Sequence, residues 1–245
     1  MARFAARFSA ALVVVVALFG ACKPRPAPGG KCAQHGKATC ENPWGALYCF
    51  DGVLERVTCR GPQGCVPDGD GVLCDDAIAA ERDLCMLASV GNHACAPDGR
   101  EAVVCEAKGY VAWRACRGPK GCAVSTGRVE CDQTRADDGD ACGTEGTFAC
   151  GAQAPGMSRC DGVKFTRVSG CRGPKGCSRD TATNKTVCDD TVAAEGDPCA
   201  TATNACSQDL RRELACEAGV WRVARECTSA QGCVPQANAN PRCGP

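Results

Sequence analysis

Short apolar stretches bounded by cysteines recur four times along the chain and predict its main structural elements. Each stretch has a glycine near its start, followed by residues rich in Val, Tyr, Phe, Trp and Thr. The four stretches are CFDGVLERVTC from Cys49, CEAKGYVAWRAC from Cys105, CDGVKFTRVSGC from Cys160 and CEAGVWRVAREC from Cys216. A glycine-containing loop between two β-prone runs is typical of a β-hairpin. We therefore predict one short antiparallel hairpin in each stretch.

The cysteines repeat with the same period as these stretches. Of the 25 cysteines, 24 divide into four sets of six, and the first cysteines of successive sets are 53, 57 and 57 residues apart. The sets are Cys32, Cys40, Cys49, Cys59, Cys65 and Cys74; Cys85, Cys95, Cys105, Cys116, Cys122 and Cys131; Cys142, Cys150, Cys160, Cys171, Cys177 and Cys188; and Cys199, Cys206, Cys216, Cys227, Cys233 and Cys243. A pattern that recurs with the period belongs first to the fold of the repeated unit.

Two gaps between cysteines are constant. Five residues separate the fourth and fifth cysteines of every set, and ten residues separate each set from the next. The linkers are acidic and lack the Gly and Ser content of a flexible tether. We therefore expect the modules to be related by a constant rotation and rise.

The predicted fold class is a small disulfide-rich all-β protein of four tandem six-cysteine modules built from short antiparallel hairpins, at residues 32–75, 85–132, 142–189 and 199–245. The fifth and sixth cysteines are expected to bracket a second hairpin in each module. Units of about 50 residues bury little apolar surface, so disulfides are predicted to be the main stabiliser. Six cysteines allow 15 pairings, which leaves the connectivity open, but we predict that every bond lies within one module.

One heptapeptide is repeated almost letter for letter. CRGPKGC occurs at Cys116–Cys122 and Cys171–Cys177, CRGPQGC occurs at Cys59–Cys65, and the fourth module has CTSAQGC at Cys227–Cys233. The Gly-Pro-x-Gly core is typical of a tight turn. Because the fourth module loses the arginine and proline and keeps the spacing, we interpret the motif as scaffold rather than as an active site.

The chain begins with a segment typical of a signal peptide. Arg3 and Arg7 precede an apolar run of thirteen residues from Phe8 to Gly20. A membrane-spanning helix needs about 20 such residues, so the run is too short for a stable transmembrane anchor. Residues 1–21 are therefore predicted to be a signal peptide.

LFGAC, at Leu18–Cys22, resembles the lipobox of bacterial lipoproteins. The resemblance implies cleavage before Cys22 and a lipid on Cys22 that holds the chain on a membrane. Because Lys23 rather than aspartate follows, it also implies sorting to the outer membrane, facing the periplasm or the outside. Cys22 is the cysteine that four sets of six leave over, and the alternative is ordinary cleavage with a free Cys22. Residues 22–31, CKPRPAPGGK, are predicted to be an extended Pro/Gly tether that holds the first module away from the membrane.

Charge and composition limit the partners and the chemistry. After residue 21, 26 basic and 28 acidic side chains remain, a net charge of about −2, which argues against nucleic acid and against a polybasic membrane patch. No catalytic residues, metal ligands or cofactors are predicted, since the two histidines, His35 and His93, form no recognisable catalytic motif. The shortest gap between cysteines is five residues, longer than zinc knuckles and redox pairs use.

An apolar and mostly aromatic residue stands six positions before each fourth cysteine. These residues are Val53, Tyr110, Phe165 and Trp221, with Trp113 nearby in the second module. Packed inward they form the core of each small sheet, which is the favoured interpretation. Exposed, they would serve as stacking platforms for sugar rings or as anchors for a protein partner. LYCFDGVLERVTC, from Leu47, is similar to the hairpin of peritrophin-type chitin-binding domains, and this resemblance implies carbohydrate binding as an alternative. In that alternative the candidate ligand-stacking residues are the aromatic residues of the recurring position and its neighbour, namely Tyr110, Trp113, Phe165 and Trp221.

The leading hypothesis is a non-enzymatic, lipid-anchored envelope or cell-surface protein whose disulfide-stapled repeats serve adhesion, envelope structure or protein interaction. Its partners are the membrane, through lipid on Cys22, and an unidentified protein or polysaccharide. The first alternative is a carbohydrate-binding lipoprotein of the chitin or peptidoglycan type. The second is a thiol redox or metal-handling protein.

Overall fold

The computed structural model describes residues 25–125, 128–200, 203–236 and 240–245. The predicted signal peptide, Cys22 and the start of the tether lie outside these ranges. The described chain is all-β, as predicted, and its helical content is one 3-10 turn at Leu87–Ser89. Within the described ranges, no helix has the length and hydropathy needed to cross a membrane.

Modules 1 to 3 each consist of a three-stranded antiparallel sheet followed by a two-stranded hairpin, and in module 4 the sheet gains a fourth, parallel strand from the preceding linker. Module 1 contains β1 (Ala38–Asn42), β2 (Gly45–Phe50), β3 (Val53–Thr58), β4 (Cys65–Asp68) and β5 (Gly71–Cys74). Module 2 contains β6 (His93–Cys95), β7 (Glu101–Glu106), β8 (Gly109–Ala115), β9 (Cys122–Ser125) and β10 (Arg128–Cys131). Module 3 contains β11 (Phe148–Cys150), β12 (Met157–Cys160), β13 (Phe165–Ser169), β14 (Cys177–Asp180) and β15 (Lys185–Cys188). Module 4 contains β16 (Val192–Ala193), β17 (Asn204–Ser207), β18 (Arg212–Glu217), β19 (Val220–Glu226), β20 (Cys233–Val234) and β21 (Arg242–Cys243).

The predicted hairpins between the third and fourth cysteines are confirmed, and their turns explain the glycines. Asp51 and Gly52 join β2 to β3 with φ of 47° and 86°, and Ala218 and Gly219 join β18 to β19 with φ of 49° and 82°. Two consecutive left-handed residues match the twist of the flanking strands, and glycine adopts this conformation without steric cost.

The disulfides follow one pattern in all four modules, in which the first cysteine bonds the third, the second bonds the fifth and the fourth bonds the sixth. The bonds of module 1 are Cys32–Cys49, Cys40–Cys65 and Cys59–Cys74. The others are Cys85–Cys105, Cys95–Cys122, Cys116–Cys131, Cys142–Cys160, Cys150–Cys177, Cys171–Cys188, Cys199–Cys216, Cys206–Cys233 and Cys227–Cys243. Every bond therefore lies within one module, as predicted.

These bonds carry much of the stability of such small units. They close loops of 15 to 27 residues, and each is worth on the order of 3 kcal/mol in the loop-entropy picture. Twelve disulfides also indicate an oxidising, exported environment.

Each module has its own small hydrophobic core. In module 1, Tyr48 and Phe50 pack at 4.5 Å between ring centroids, and Met86 from the next module joins their cluster. The other cores are centred on Tyr110, Phe165 and Trp221, each about 1% exposed. Stability is therefore distributed over four small units.

The ten residues between cysteine sets pack onto the module that follows them. The Ala79 N–H donates to the Cys95 carbonyl at 3.0 Å, and the Cys95 N–H donates to the Ala77 carbonyl at 2.9 Å. Ala79 is buried, as are Ala136 and Ala193 in the next two linkers. Linker residues before the predicted boundary at residue 85 are therefore packed on module 2.

The described end of the Pro/Gly tether occupies the corresponding position on module 1. The Gly29 N–H donates to the Leu54 carbonyl, and the Leu54 N–H donates to the Gly30 carbonyl, both at 2.8 Å. Pro26 lines a shallow cavity together with Leu47 and Leu54. Residues 29–31 of the predicted spacer are therefore bonded to module 1 rather than free of it, and residues 22–24 of that prediction lie outside the described ranges.

Candidate functional site at the module junctions

An arginine of each of the first three modules bonds an aspartate of the next module. In each pair the guanidinium Nε and Nη2 donate to the two oxygens of one carboxylate. The pairs are Arg60–Asp83 at 2.9 and 3.2 Å, Arg117–Asp140 at 2.7 and 3.2 Å, and Arg172–Asp197 at 2.5 and 3.2 Å. Two parallel bonds fix the orientation of the partners as well as their distance.

The positions of these residues explain a change that the sequence left unexplained. The arginine is the second residue of CRGPxGC, and the aspartate stands two residues before the first cysteine of the next set. Module 4 has Thr228 at the arginine position, and the backbone position of the aspartate in module 1 is held by Gly30. The arginine is therefore absent from module 4, and the aspartate is absent from module 1. The interpretation of CRGPKGC as a turn alone is incomplete, because its arginine joins modules.

The junction aspartates are held as carboxylates by several donors. Asp140 also accepts the backbone N–H of Asp137 at 2.8 Å, and Asp83 accepts that of Ala80 at the same distance. Burial acts to raise the pKa of Asp140, but its hydrogen bonds with Arg117 and Asp137 outweigh this and lower it. The hydrogen bond from Arg172 is the main cause that lowers the pKa of Asp197. At neutral pH the pairs are therefore ionic.

A second aspartate connects each CRGPxGC turn to the linker. Asp132 accepts the backbone N–H groups of Lys120 and Thr134, both at 3.0 Å. A Cβ added at Gly118 would overlap the Asp132 carboxylate. The same relation holds for Gly61 with Asp75 and for Gly173 with Asp189. In module 4 the equivalent residues are Ser229, at the glycine position, and Gly244, at the aspartate position. The turn therefore has a side chain at the glycine position in the one module of the four that lacks the aspartate carboxylate.

A shallow cleft lies beside each junction, with volumes of about 580, 530 and 650 Å³ from the first junction to the third. The linker aspartate and the residue before the second glycine of the turn line all three. The other walls differ: Leu73 and Trp113 line the first, Arg135 and Arg179 the second, and Asn204 and Gln236 the third. The shared part of the clefts is thus the structural junction, and no single ligand chemistry repeats.

Three of the four predicted stacking residues are buried. Tyr110, Phe165 and Trp221 are each about 1% exposed and face the cores, so they cannot stack on a ligand. The inward interpretation is correct for them, and the carbohydrate-binding alternative loses these residues. Burial, followed by the charge of Asp76, raises the pKa of Tyr110.

The alignment that placed Val53 with these rings is wrong by one residue. Tyr110 lies opposite the third cysteine of its module, and in module 1 the residue opposite Cys49 is Leu54, while Val53 is 42% exposed. Modules 2 to 4 contain a β-bulge in this strand pair that module 1 lacks. Counting forward from the third cysteine would have given the right alignment.

The fourth stacking candidate, Trp113, is half-buried beside the first cleft. Its ring packs against His93 at 3.9 Å between centroids and against the Arg114 guanidinium at 3.8 Å. Burial and then the positive charge of Arg114 lower the pKa of His93, which favours the neutral ring. Trp113 thus has two packing partners already.

The sulfur chemistry of the described chain is that of closed disulfides. All 24 cysteines of the four sets are bonded, which leaves no free thiol within the described ranges. The one group there with metal-site distances, Cys171, Cys188 and Asp190, contains two sulfurs that are bonded to each other. The redox and metal alternative therefore has no thiolate to act through in these ranges.

Comparisons of the chain with protein-family models, with curated protein sequences and with solved structures find no match.

Proposed function

We propose that this chain is a non-enzymatic, lipid-anchored envelope protein whose four disulfide-stapled modules form a fixed-order arm for adhesion, envelope structure or protein interaction. The lipid on Cys22 attaches the arm to a bacterial outer membrane. The modules then set the distance and direction from that membrane at which the distal end stands.

The observation that supports an arm is the conversion of one motif into a connector. Arg60, Arg117 and Arg172 each bond the following module, and the corresponding position of module 4 carries Thr228. A chain that needed only four independent binding units would gain nothing from a charge pair between units. A repeat array uses such nearest-neighbour contacts to hold a defined curvature.

The order of the array favours a structural role over catalysis. Residues that recur with the period, namely the cysteines, the turn glycines and the junction aspartates, each have a structural partner. Apart from the linker aspartate and the residue before the second turn glycine, the walls of the clefts differ from one junction to the next. A binding partner would therefore contact one module, or one surface at a fixed distance from the membrane, rather than four equivalent sites.

Two measurements test the anchor and the arm separately. The first is the intact mass and free-thiol count of protein produced with its own leader in an envelope-competent host. Loss of residues 1–21, an acyl increment on Cys22 and 24 oxidised cysteines are expected. An unmodified Cys22 overturns the anchor.

The second measurement is small-angle scattering of Arg60→Thr, Arg117→Thr and Arg172→Thr combined, each substitution taking the residue of module 4. We expect a larger radius of gyration and a smoother distance distribution than in the parent protein. Arg159→Thr is the matched control, because Arg159 is exposed and has no ion-pair partner among the described residues. An unchanged scattering curve for the triple variant overturns the fixed arm.

A further inference from the structure

Trp44 is the most exposed aromatic side chain in the described ranges. It lies in the two-residue turn between β1 and β2, and 60% of it is accessible to solvent. The turn itself is firmly held: the Trp44 N–H donates to Asn42 Oδ1 at 2.8 Å, and the Trp44 carbonyl accepts the Cys59 N–H at 3.0 Å. The structure thus presents a large amphipathic ring on a fixed support.

The same backbone position in two other modules holds arginine. The carbonyls of Trp44, Arg100 and Arg211 accept the N–H of the fourth cysteine of their modules at 3.0, 2.8 and 2.8 Å. The preceding carbonyls in each case accept the N–H of the fifth cysteine at 2.7 Å. Arg100 and Arg211 are exposed. The fold therefore does not require an aromatic residue at this exposed position. Of these three modules, module 1 is the one with tryptophan here.

Module 1 is also the module nearest the proposed lipid. Pro26 lines a cavity together with Leu47, so only three residues separate Cys22 from a position beside module 1, a span of at most about 14 Å. Trp44 lies in the turn three residues before Leu47 of β2, at most about 10 Å away along the chain. If the lipid is on Cys22, as the proposed function holds, the bilayer surface lies within reach of the Trp44 turn.

The charge of this end of the chain is opposite to that of the rest. Lys23, Arg25, Lys31 and Lys37 are the charged residues between Cys22 and Cys40, and no acidic residue lies among them. From residue 41 onward there are 22 basic and 28 acidic residues. The near-neutral total, which argued against a basic membrane patch, hides this separation. A cluster of basic residues beside an anchor attracts anionic lipid headgroups.

We propose that the Trp44 turn is a membrane-contact site, which inserts its indole ring into the headgroup region of the bilayer that holds the lipid of Cys22. Tryptophan is favoured at membrane interfaces because one part of its ring is apolar and its N–H hydrogen-bonds at headgroup level. The contact orients module 1, and the arginine–aspartate pairs pass that orientation to modules 2, 3 and 4. The inference rests on the proposed lipid anchor.

The test measures how close Trp44 lies to lipid. The chain has three tryptophans, so Trp113→Phe and Trp221→Phe together leave Trp44 as the single fluorophore; phenylalanine already occupies the position of Trp221 in module 3. The acylated protein is placed in vesicles of phosphatidylethanolamine and phosphatidylglycerol, with and without bromine on the acyl chains. Insertion at headgroup level should lower the Trp44 emission roughly twofold in brominated vesicles and shift it to shorter wavelength. Intact mass verifies twelve disulfides and the acyl group in the same sample.

The matched control is Trp44→Arg with Trp221→Phe, which leaves Trp113 as the single fluorophore and gives the turn the residue of modules 2 and 4. Its emission should be the same in both kinds of vesicle, because Trp113 lies on module 2 beside His93. An acylated protein whose Trp44 is not quenched overturns this inference and leaves the anchor intact. A protein without the acyl group overturns the anchor and this inference with it.

Discussion

At the scale of single residues, the four repeats act as an internal comparison of which side chains depend on each other. Glycine follows the arginine in three turns where an aspartate carboxylate fills the adjacent space, and Ser229 replaces it in the turn where Gly244 replaces the aspartate. The two positions therefore change together for a steric reason. The glycine after the arginine of CRGPxGC is therefore required because the carboxylate of the linker aspartate occupies the space that a side chain would fill.

Gly118→Ala is expected to lower the free energy of unfolding by about 1–3 kcal/mol, since the new Cβ would overlap an Asp132 carboxylate that two backbone N–H groups hold in place. Adding Asp132→Gly should recover part of the loss, as the combination in module 4 indicates. Denaturant unfolding with the disulfides intact measures both. Gly71→Ala is the control, because a Cβ there makes only an ordinary contact at 3.7 Å. Equal effects at Gly71 and Gly118 would contradict the steric explanation.

Trp221 offers a second residue-scale test, because its ring is buried while its Nε1 has no hydrogen-bond partner. Trp221→Ala should lower the free energy of unfolding by about 3–5 kcal/mol through lost burial and a cavity. Trp221→Phe should cost less than about 1.5 kcal/mol, since Phe165 fills the equivalent position and the unpartnered N–H is removed. Unfolding curves of the three proteins are compared. A similar loss for both variants would show that the indole N–H has a partner in solution.

At the scale of elements, the sequence was informative where the signal is local. The glycine turns and β-branched runs predicted the hairpins of β2 with β3 and β7 with β8, because a hairpin is specified by adjacent residues. The first strand of each sheet was missed, since β6 and β11 have only three residues and no alternation to detect. The pairing of cysteines could not be predicted for a different reason: Cys65 faces Cys74 directly across a hairpin, yet Cys65 bonds Cys40 and Cys74 bonds Cys59.

The linker elements show the limit of composition as a guide. DDAIAAERDL has the charge of an exposed connector, but its Ala79 is buried and its backbone bonds Cys95. Burial of Ala79 depends on a small side chain that lets the linker backbone approach the backbone of Cys95. An alanine in a sequence does not indicate which part of a linker will be buried. The same limit applies to the junction, since the charge of Arg60 and Asp83 was visible and their pairing over 23 residues was not.

The junction pair can be tested in a double-mutant cycle of Arg117→Thr and Asp140→Ala. We expect a coupling free energy of about 1 kcal/mol, because the pair has two-point geometry but Arg117 is 35% exposed and therefore screened. Chemical denaturation at low and high salt gives the cycle, and the coupling should shrink in high salt. The pair of Arg117 with Asp51, a residue of module 1 that bonds Lys108 instead, is the control and should show additive effects. Additivity for Arg117 and Asp140 as well would exclude a role for the pair in joining modules.

At the scale of the whole molecule, stability and shape are controlled by different bonds. Each module is closed by three disulfides and has a core of its own, and the core of module 1 also includes Met86 of module 2. The order between modules depends on Asp83, Asp140 and Asp197, on the ion pair of Asp51 with Lys108 between modules 1 and 2, and on the packing of each linker on the following module. Acid does not break disulfides, but it protonates carboxylates. Lowering the pH should therefore affect the order between modules without breaking the bonds that close each module.

Acid should therefore loosen the array before it unfolds the modules. The pKa of each junction aspartate is lowered in the folded protein by the arginine it binds, against the effect of burial. A carboxyl with a lowered pKa contributes its full stabilisation above its unfolded value, about 3.9, and loses it as the pH falls from there through the folded pKa. The radius of gyration should thus be constant from neutral pH to about pH 4 and rise below it, while near-ultraviolet circular dichroism changes little.

The control is a triple variant that combines Asp83→Asn, Asp140→Asn and Asp197→Asn. Its radius of gyration should already be larger at neutral pH and should not rise further in acid, because the asparagine amide carries no charge to lose. A rise of equal size in the triple variant would assign the acid response to other carboxylates, and a constant radius in the parent would show that linker packing alone fixes the order of the modules.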